Sequence, residues 1–133
     1  MPKTITQKVV FKNTSPAKLY SMYLDSKQHA AITGGVAAKI SAKEGAKFSA
    51  HDEYITGKNL QLVKDKLIVQ SWRGSDWNKG DADSTFILQF EPKGKDTVMY
   101  MTHANIPDKH ADGIKQGWVD HYWNPWKEVL SGK

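Results

Sequence analysis

The chain has 133 residues, of which 39% are hydrophobic and 25% charged, proportions typical of a globular protein with one domain. It contains no cysteine, which excludes disulfide bonds, thiol chemistry and cysteine-bound zinc. The formal net charge is +5, but Arg73 is the only arginine among 19 basic residues and the lysines are dispersed, which argues against a nucleic-acid reader.

The apolar runs of the chain are short. None approaches the ~18 residues that a membrane span requires, and the N-terminus leads directly into a strand-like pattern. We therefore expect no membrane insertion and no signal peptide, a cytoplasmic location, and a single domain over residues 1–133.

The first quarter of the chain predicts one strand and two short helices. Residues 4–11 alternate loosely between apolar and polar side chains, as in a strand with one buried face. Ser15 and Pro16 then resemble a helix start, with a capping hydroxyl followed by proline in the first turn. Helical spacing continues over residues 17–24, and a second short helix is predicted over residues 27–32.

The middle of the chain predicts a series of antiparallel strands joined by short turns. These strands span residues 36–40, 46–50, 51–56, 59–63, 67–73, 84–91 and 97–104. Between them we predict a turn at residues 57–59 and a long polar hairpin loop over residues 75–83, with Trp77 exposed in it. Trp72 is expected to point inward and Arg73 outward, where it pairs with an acidic residue.

Residues 108–130 predict one long amphipathic helix, roughly 35 Å in length at 1.5 Å per residue. Its apolar side is broad and aromatic: Ala111, Ile114, Trp118, Tyr122, Trp126 and Val129, flanked by Val119, Trp123 and Leu130. Pro125 lies inside this helix and removes the hydrogen bond to the carbonyl of His121. Such a face requires a large concave receptor, which a curled antiparallel sheet provides. The sequence therefore predicts an α+β protein.

The titratable residues contain no catalytic or metal-binding motif. His103 lies on the same inward face of its predicted strand as Met99 and Met101. It is therefore either a hydrogen-bonded core residue, or a polar anchor or proton donor in a pocket. The other four histidines share no metal-ligand spacing. Asp52 and Glu53 point to opposite faces of a strand, which is a poor arrangement for paired-carboxylate catalysis. We predict no metal site and no cofactor.

Several short motifs, taken in order, resemble those of one family. They are Thr14-Ser15-Pro16 with Leu19-Tyr20, Gly45-Ala46-Lys47-Phe48, Leu67-Ile68-Val69-Gln70-Ser71-Trp72-Arg73, Trp77-Asn78-Lys79-Gly80, Gly94 with Thr97, Ile106-Pro107, and Gln116-Gly117-Trp118 followed by Tyr122 and Pro125. Together they cover nearly the whole chain. The chain resembles the C-terminal domain of the activators of the heat-shock protein 90 ATPase, within the START-like (SRPBCC) superfamily.

The resemblance implies a helix-grip (START-like) fold: a curved antiparallel sheet of about six strands around a long C-terminal helix, with two short helices after the first strand. It also implies a non-enzymatic domain that binds a heat-shock protein 90 chaperone or another protein partner. Eukaryotic activators have a separate N-terminal domain, whereas this chain starts at the first strand, so we expect a stand-alone copy.

Helix-grip relatives often hold a small apolar molecule in a cavity between sheet and helix. The residues expected to line such a cavity are Phe48, Tyr54, Trp72, Phe86, Leu88, Met99, Met101, His103, Trp118, Tyr122 and Trp126. Two alternative functions follow. One is a carrier or sensor of a lipid or aromatic compound. The other is an enzyme of the polyketide-cyclase kind, with His103 and Tyr122 or Tyr54 as acid–base groups.

Overall fold

The computed structural model describes residues 2–32, 38–50 and 54–130. The strands are β1 (Lys3–Phe11), β2 (Lys47–Ala50), β3 (Ile55–Val63), β4 (Leu67–Gly74), β5 (Ser84–Lys93) and β6 (Asp96–Ile106). The helices are α1 (Pro16–Leu24), α2 (Ser26–Ile32), α3 (Asp108–Trp118) and α4 (Asn124–Leu130), and a π-helical turn, Val119–Trp123, joins α3 to α4.

The six strands form one antiparallel sheet in the order β1-β6-β5-β4-β3-β2. The C-terminal helix (108–130) packs against one face of this sheet, and the ring of Trp118 stacks on that of Phe86 with 4.4 Å between centroids. Near its end the ring of Trp126 lies 5.8 Å from that of Phe11. The predicted α+β helix-grip architecture is confirmed. No helix of the described residues is long and apolar enough to cross a membrane.

The helix start at Ser15 and Pro16 is confirmed. The Ser15 hydroxyl accepts a hydrogen bond from the backbone N–H of Lys18 at 3.2 Å, and Pro16 occupies the first turn of α1. The helix then buries Leu19 and Tyr23, and the Tyr23 ring lies 5.7 Å from Phe86 on the sheet. Thus α1 helps to close the core on the side that the C-terminal helix covers.

A π-helical turn interrupts the predicted α-helix. The N–H of Asn124 donates to the carbonyl of Val119, five residues earlier, immediately before Pro125, which has no N–H to donate. The additional residue in this turn rotates the following face by about 100° relative to an α-helix. Trp123 is therefore buried, whereas Val129 is 47% exposed, and the predicted inward orientation of Val129 is wrong.

Gln7 on β1 stabilises this irregular part of the helix. Its Nε2 donates to the carbonyl of Lys115 at 3.1 Å, and its Oε1 accepts from the indole N–H of Trp123 at 2.6 Å. The N–H of Val119 donates to the carbonyl of Gln116, three residues earlier, whereas in an α-helix it would donate to the carbonyl of Lys115, four residues earlier. Gln7 therefore ties the helix to an edge strand where the helical hydrogen-bond pattern changes.

The turn predicted at residues 57–59 is wrong, because β3 runs through this segment. Gly57 pairs with Phe48 on β2 and with Trp72 on β4. A Cβ atom at Gly57 would overlap the carbonyl oxygen of Ser71, so the glycine permits close strand packing. Part of the strands predicted at residues 36–40 and 51–56 lies outside the described residues; within them, Lys39 forms a single bridge to β2.

The predicted exposure of Trp77 is also wrong, since only 6% of this residue is exposed. Its ring stacks on that of His110, with 5.8 Å between centroids and 19° between planes. Arg73 folds the loop that carries Trp77: its guanidinium donates to the carbonyls of Asn78 and Asp81 at 2.6 and 2.5 Å. It also pairs with a carboxylate, as predicted, that of Asp83 at 3.3 Å.

Replacement of Gly57 by alanine is expected to lower the free energy of unfolding by about 1–3 kcal/mol or more, because the added methyl group must displace β4 backbone. Gly80→Ala is the matched control, since its Cβ would meet nothing within 4 Å, and should change stability by no more than about 0.5 kcal/mol. The midpoints of urea unfolding measure both changes in stability, provided that the denaturant slope (m) is the same for all variants. Equal midpoints for the two variants would contradict the packing argument.

Candidate functional site

A cleft of about 390 Å³ lies between α3 and the adjoining ends of β3 and β4. Its described lining consists of Tyr54, Ile55, Trp72, Lys109, His110, Gly113, Ile114, Gly117, Trp118, His121 and Tyr122. A Cβ at Gly113 would meet nothing within 4 Å, and one at Gly117 would meet only the His121 ring, at 3.8 Å. These two glycines leave space beside the helix backbone, and the volume suits a small ligand.

The predicted cavity residues separate into two groups in the structure. Tyr54, Trp72, Trp118 and Tyr122 line the cleft. The others are buried side chains of the core that do not line it: Phe48, Phe86, Leu88, Met99, Met101, His103 and Trp126. A ligand-binding role for any of them stays a prediction.

His103 belongs to a chain of hydrogen bonds that crosses from the helix to the sheet. The indole N–H of Trp118 donates to its Nδ1 at 3.1 Å, and its Nε2 lies 2.7 Å from the hydroxyl of Ser84. The Ser84 hydroxyl donates to the carbonyl of Trp72 at 2.8 Å, so it accepts from His103. Because an indole nitrogen only donates, His103 is the neutral tautomer with its proton on Nε2.

The surroundings of His103 are aromatic. The ring of Trp72 lies 4.7 Å away, and those of Phe86 and Trp118 lie 5.5 and 5.8 Å away. Burial lowers the pKa of His103 to about 3. The predicted inward orientation is confirmed, and the satisfied, neutral imidazole has the environment of a hydrogen-bonded core residue.

A second buried histidine, His29 of α2, makes a similar link. Its Nδ1 lies 2.8 Å from the carbonyl of Tyr23, so Nδ1 carries a proton, and its Nε2 lies 2.8 Å from the hydroxyl of Tyr122. Burial raises the pKa of the Tyr122 hydroxyl above its usual value. Sequence reasoning missed this role, since 93 residues separate the two side chains and the only local signal is the spacing of His29 from buried Ile32.

A polar network continues from Tyr23 toward β3. The Tyr23 hydroxyl donates to Oε1 of Gln70 at 2.8 Å, and Nε2 of Gln70 donates to Oδ1 of Asn59 at 2.8 Å. The amide of Asn59 ends the network on the carbonyls of Ser41 and Lys43, at 2.8 and 3.0 Å. The polar side chains of this part of the interior are therefore satisfied by the protein itself.

The rim of the cleft carries charge of both signs. The hydroxyl of Tyr54 donates to the carboxylate of Asp76 at 2.7 Å. Burial, then the bond to Asp76, raise the pKa of Tyr54 to about 12, and the same bond lowers the pKa of Asp76. Lys109 and His110 line the opposite side, on α3, and Nε2 of His110 is buried without a hydrogen-bond partner in the described residues.

No group of three or more His, Asp or Glu side chains that could hold a metal ion occurs in the part of the chain that the structure describes. Asp52 and Glu53, which the sequence pattern placed on opposite strand faces, lie outside that part.

Comparison with known proteins gives consistent matches. The family model "Activator of Hsp90 ATPase homolog 1-like protein" matches residues 13–131. The chain is 32% identical over 131 residues to the mouse activator of 90 kDa heat shock protein ATPase homolog 1, and 31% identical to the human protein. Each match covers 96% of this chain and 38% of the relative, so the chain spans well under half the length of these relatives.

A solved structure with the same fold also carries an activator name. The crystal structure of an HSP90 activator from Plasmodium falciparum superposes with a TM-score of 0.88 at 26% sequence identity. The superposition covers 96% of this chain and 96% of that crystal chain.

Acidification is expected to destabilise the protein through His103. In the unfolded chain this histidine takes up a proton near pH 6.5, whereas in the folded protein its pKa is about 3, so stability is lost as pH falls through this window. The slope approaches about 1.4 kcal/mol per pH unit. His103→Gln should show a shallower slope in urea unfolding between pH 6.5 and 4. A slope equal to that of the wild type would contradict the assignment.

Proposed function

Because the chain belongs to the Activator of Hsp90 ATPase homolog 1-like family, we propose that it is a co-chaperone-like domain that binds a heat-shock protein 90 (Hsp90) chaperone and changes its ATPase rate. The observation that carries the proposal is the match over residues 13–131, which extends from the start of α1 to the end of the C-terminal helix. We further propose that the domain is single, non-enzymatic and cytoplasmic.

The Plasmodium relative supports an activator role for this fold. Its crystal chain is matched over 96% of its length, and it is named an HSP90 activator. The mouse and human relatives are matched over 38% of theirs, so their names describe considerably longer proteins. An activity that resides in the shared fold is the simplest account of both comparisons.

The packed interior also favours a protein partner. The inner face of the sheet is filled by buried side chains such as Phe86, Leu88 and Met101, and the polar groups around His103 have partners within the chain. Binding through the outer surface requires no change in this interior.

The direct test is the ATPase rate of the Hsp90 from the same organism at a saturating concentration of the purified domain. We expect the rate to change, and to return to its basal value when the domain is heat-denatured beforehand. Sedimentation velocity of the mixture should show a complex. An unchanged rate together with no complex would contradict the proposal.

A small-molecule role for the cleft is the second candidate function. Two observations favour it: the space beside Gly113, and the Nε2 of His110, which has no hydrogen-bond partner among the described residues and lies in a lining that also contains Lys109. The aromatic rings of Trp72 and Trp118 complete this lining. Such a site suits an apolar or aromatic compound that carries an acidic or hydrogen-bonding group.

The variant Gly113→Phe should fill the cleft and abolish ligand binding without unfolding the protein, because its side chain enters open space. Native mass spectrometry of freshly purified protein is expected to show a bound compound on the wild type and on the control Gly80→Phe, and none on Gly113→Phe. Identical bound mass on both variants, or none on the wild type, would argue against this function.

A further inference from the structure

The outer face of the sheet, opposite to the C-terminal helix, has a basic end, here called the lysine edge: Lys39, Lys47 and Lys58. Phe48 is buried, so strand alternation points Lys47 outward. Lys47 pairs directly with Lys58 across β2 and β3, and Lys39 bridges to Ser49, two residues further along β2. All three lysines are exposed.

The pair of Lys47 and Lys58 is unfavourable in the protein alone. Residues directly opposite each other on antiparallel strands have Cβ atoms about 4.5–5.5 Å apart, and like charges there are destabilising. Among the described residues, the ion pairs are made by Lys3, Lys12 and Arg73, and none reaches the lysine edge.

A carboxylate close to the lysine edge in sequence does not compensate it. Glu44 precedes β2 by three residues, but its side chain accepts from the backbone N–H of Leu62 at 2.9 Å. Within the described residues, the lysine edge therefore presents positive charge that no ion pair neutralises.

Apolar side chains continue the outer face from the lysine edge toward the centre of the sheet. Lys58 pairs with Ser71, and two residues before Ser71 on the same face lies Val69, which pairs with Ile87 on β5. Val69 and Ile87 are both partly exposed. Next to them Leu60, at the irregularity in the pairing of β3 with β4, is 50% exposed.

We propose that the lysine edge, with Val69 and Ile87 beside it, is the surface that binds the chaperone, and that it fits an acidic patch with an apolar side chain next to it. The inference rests on the proposed function, because it takes Hsp90 as the partner. Carboxylates placed opposite Lys47 and Lys58 convert their repulsion in the unbound domain into attraction in the complex.

The composition of the surface favours an acidic protein over nucleic acid. Lysine ammonium groups act as point charges toward carboxylates, whereas base recognition relies on the bidentate guanidinium of arginine. The single arginine, Arg73, is occupied by the loop carbonyls of Asn78 and Asp81.

Charge reversal tests the proposal. Lys47→Glu, Lys58→Glu and the control Lys95→Glu, in the exposed β5–β6 turn, make the same reversal of charge at different places. In low salt, Lys47→Glu should raise Tm by about 1–4 °C, since it replaces a like-charge pair by an opposite-charge pair. The same variant should weaken binding to the chaperone at least tenfold, while Lys95→Glu binds as the wild type does.

Chaperone binding and Tm are measured for the wild type and for each variant. If the wild type and the lysine-edge variants bind the chaperone equally well, the lysine edge is not the binding surface, and the proposed function stands. If the wild type does not bind, the proposed function fails and the inference fails with it. A Tm of Lys47→Glu that is not raised overturns the repulsion argument. Binding of the wild type to duplex DNA or to anionic phosphatidylserine vesicles, lost in Lys47→Glu while chaperone binding is retained, would reassign the surface.

Discussion

One hydrogen bond between the C-terminal helix and the sheet, from the indole N–H of Trp118 to Nδ1 of His103, organises the polar groups at the centre of the core. This bond fixes the tautomer of His103, which in turn makes the imidazole a donor to Ser84 and sends the serine proton to the carbonyl of Trp72. Four residues on the helix and on three neighbouring strands are thus satisfied together. A proton added at Nδ1 would face the indole donor, so burial and geometry both favour the neutral ring.

The same arrangement determines which part of the helix–sheet interface is filled by side chains. Large aromatic and sulfur-containing side chains fill the space around His103, and among the described residues a cleft lies beside Gly113 and Gly117 of the helix. The helix reaches its position through a π-helical turn that Gln7 ties to β1. The interior therefore sets the shape of the domain, and the proposed binding surfaces, the cleft and the outer face of the sheet, lie outside it.

The sequence predicted the elements and the buried side of the strands, because alternation and helix caps are local signals. It failed where a distant residue decides the outcome. Gly57 resembles a turn glycine, but the atom that excludes a side chain there belongs to Ser71 on the next strand. Trp77 is buried in a loop whose carbonyls bind Arg73 and whose indole stacks on His110 of α3. All of the predicted cavity residues except Tyr54, which is 39% exposed, are buried. The alternation of a strand cannot show which buried side chains border a space, and four of the predicted residues line the cleft.

Nitrogen-15 NMR of histidine-labelled protein at pH 5 reports directly on the protonation of the His103 imidazole. An unperturbed histidine is mostly charged at this pH, whereas His103, with a pKa of about 3, should be neutral. We expect one protonated ring nitrogen, Nε2, and an unprotonated Nδ1 that is hydrogen-bonded to the indole N–H of Trp118. A charged ring, or a proton on Nδ1, would contradict this assignment.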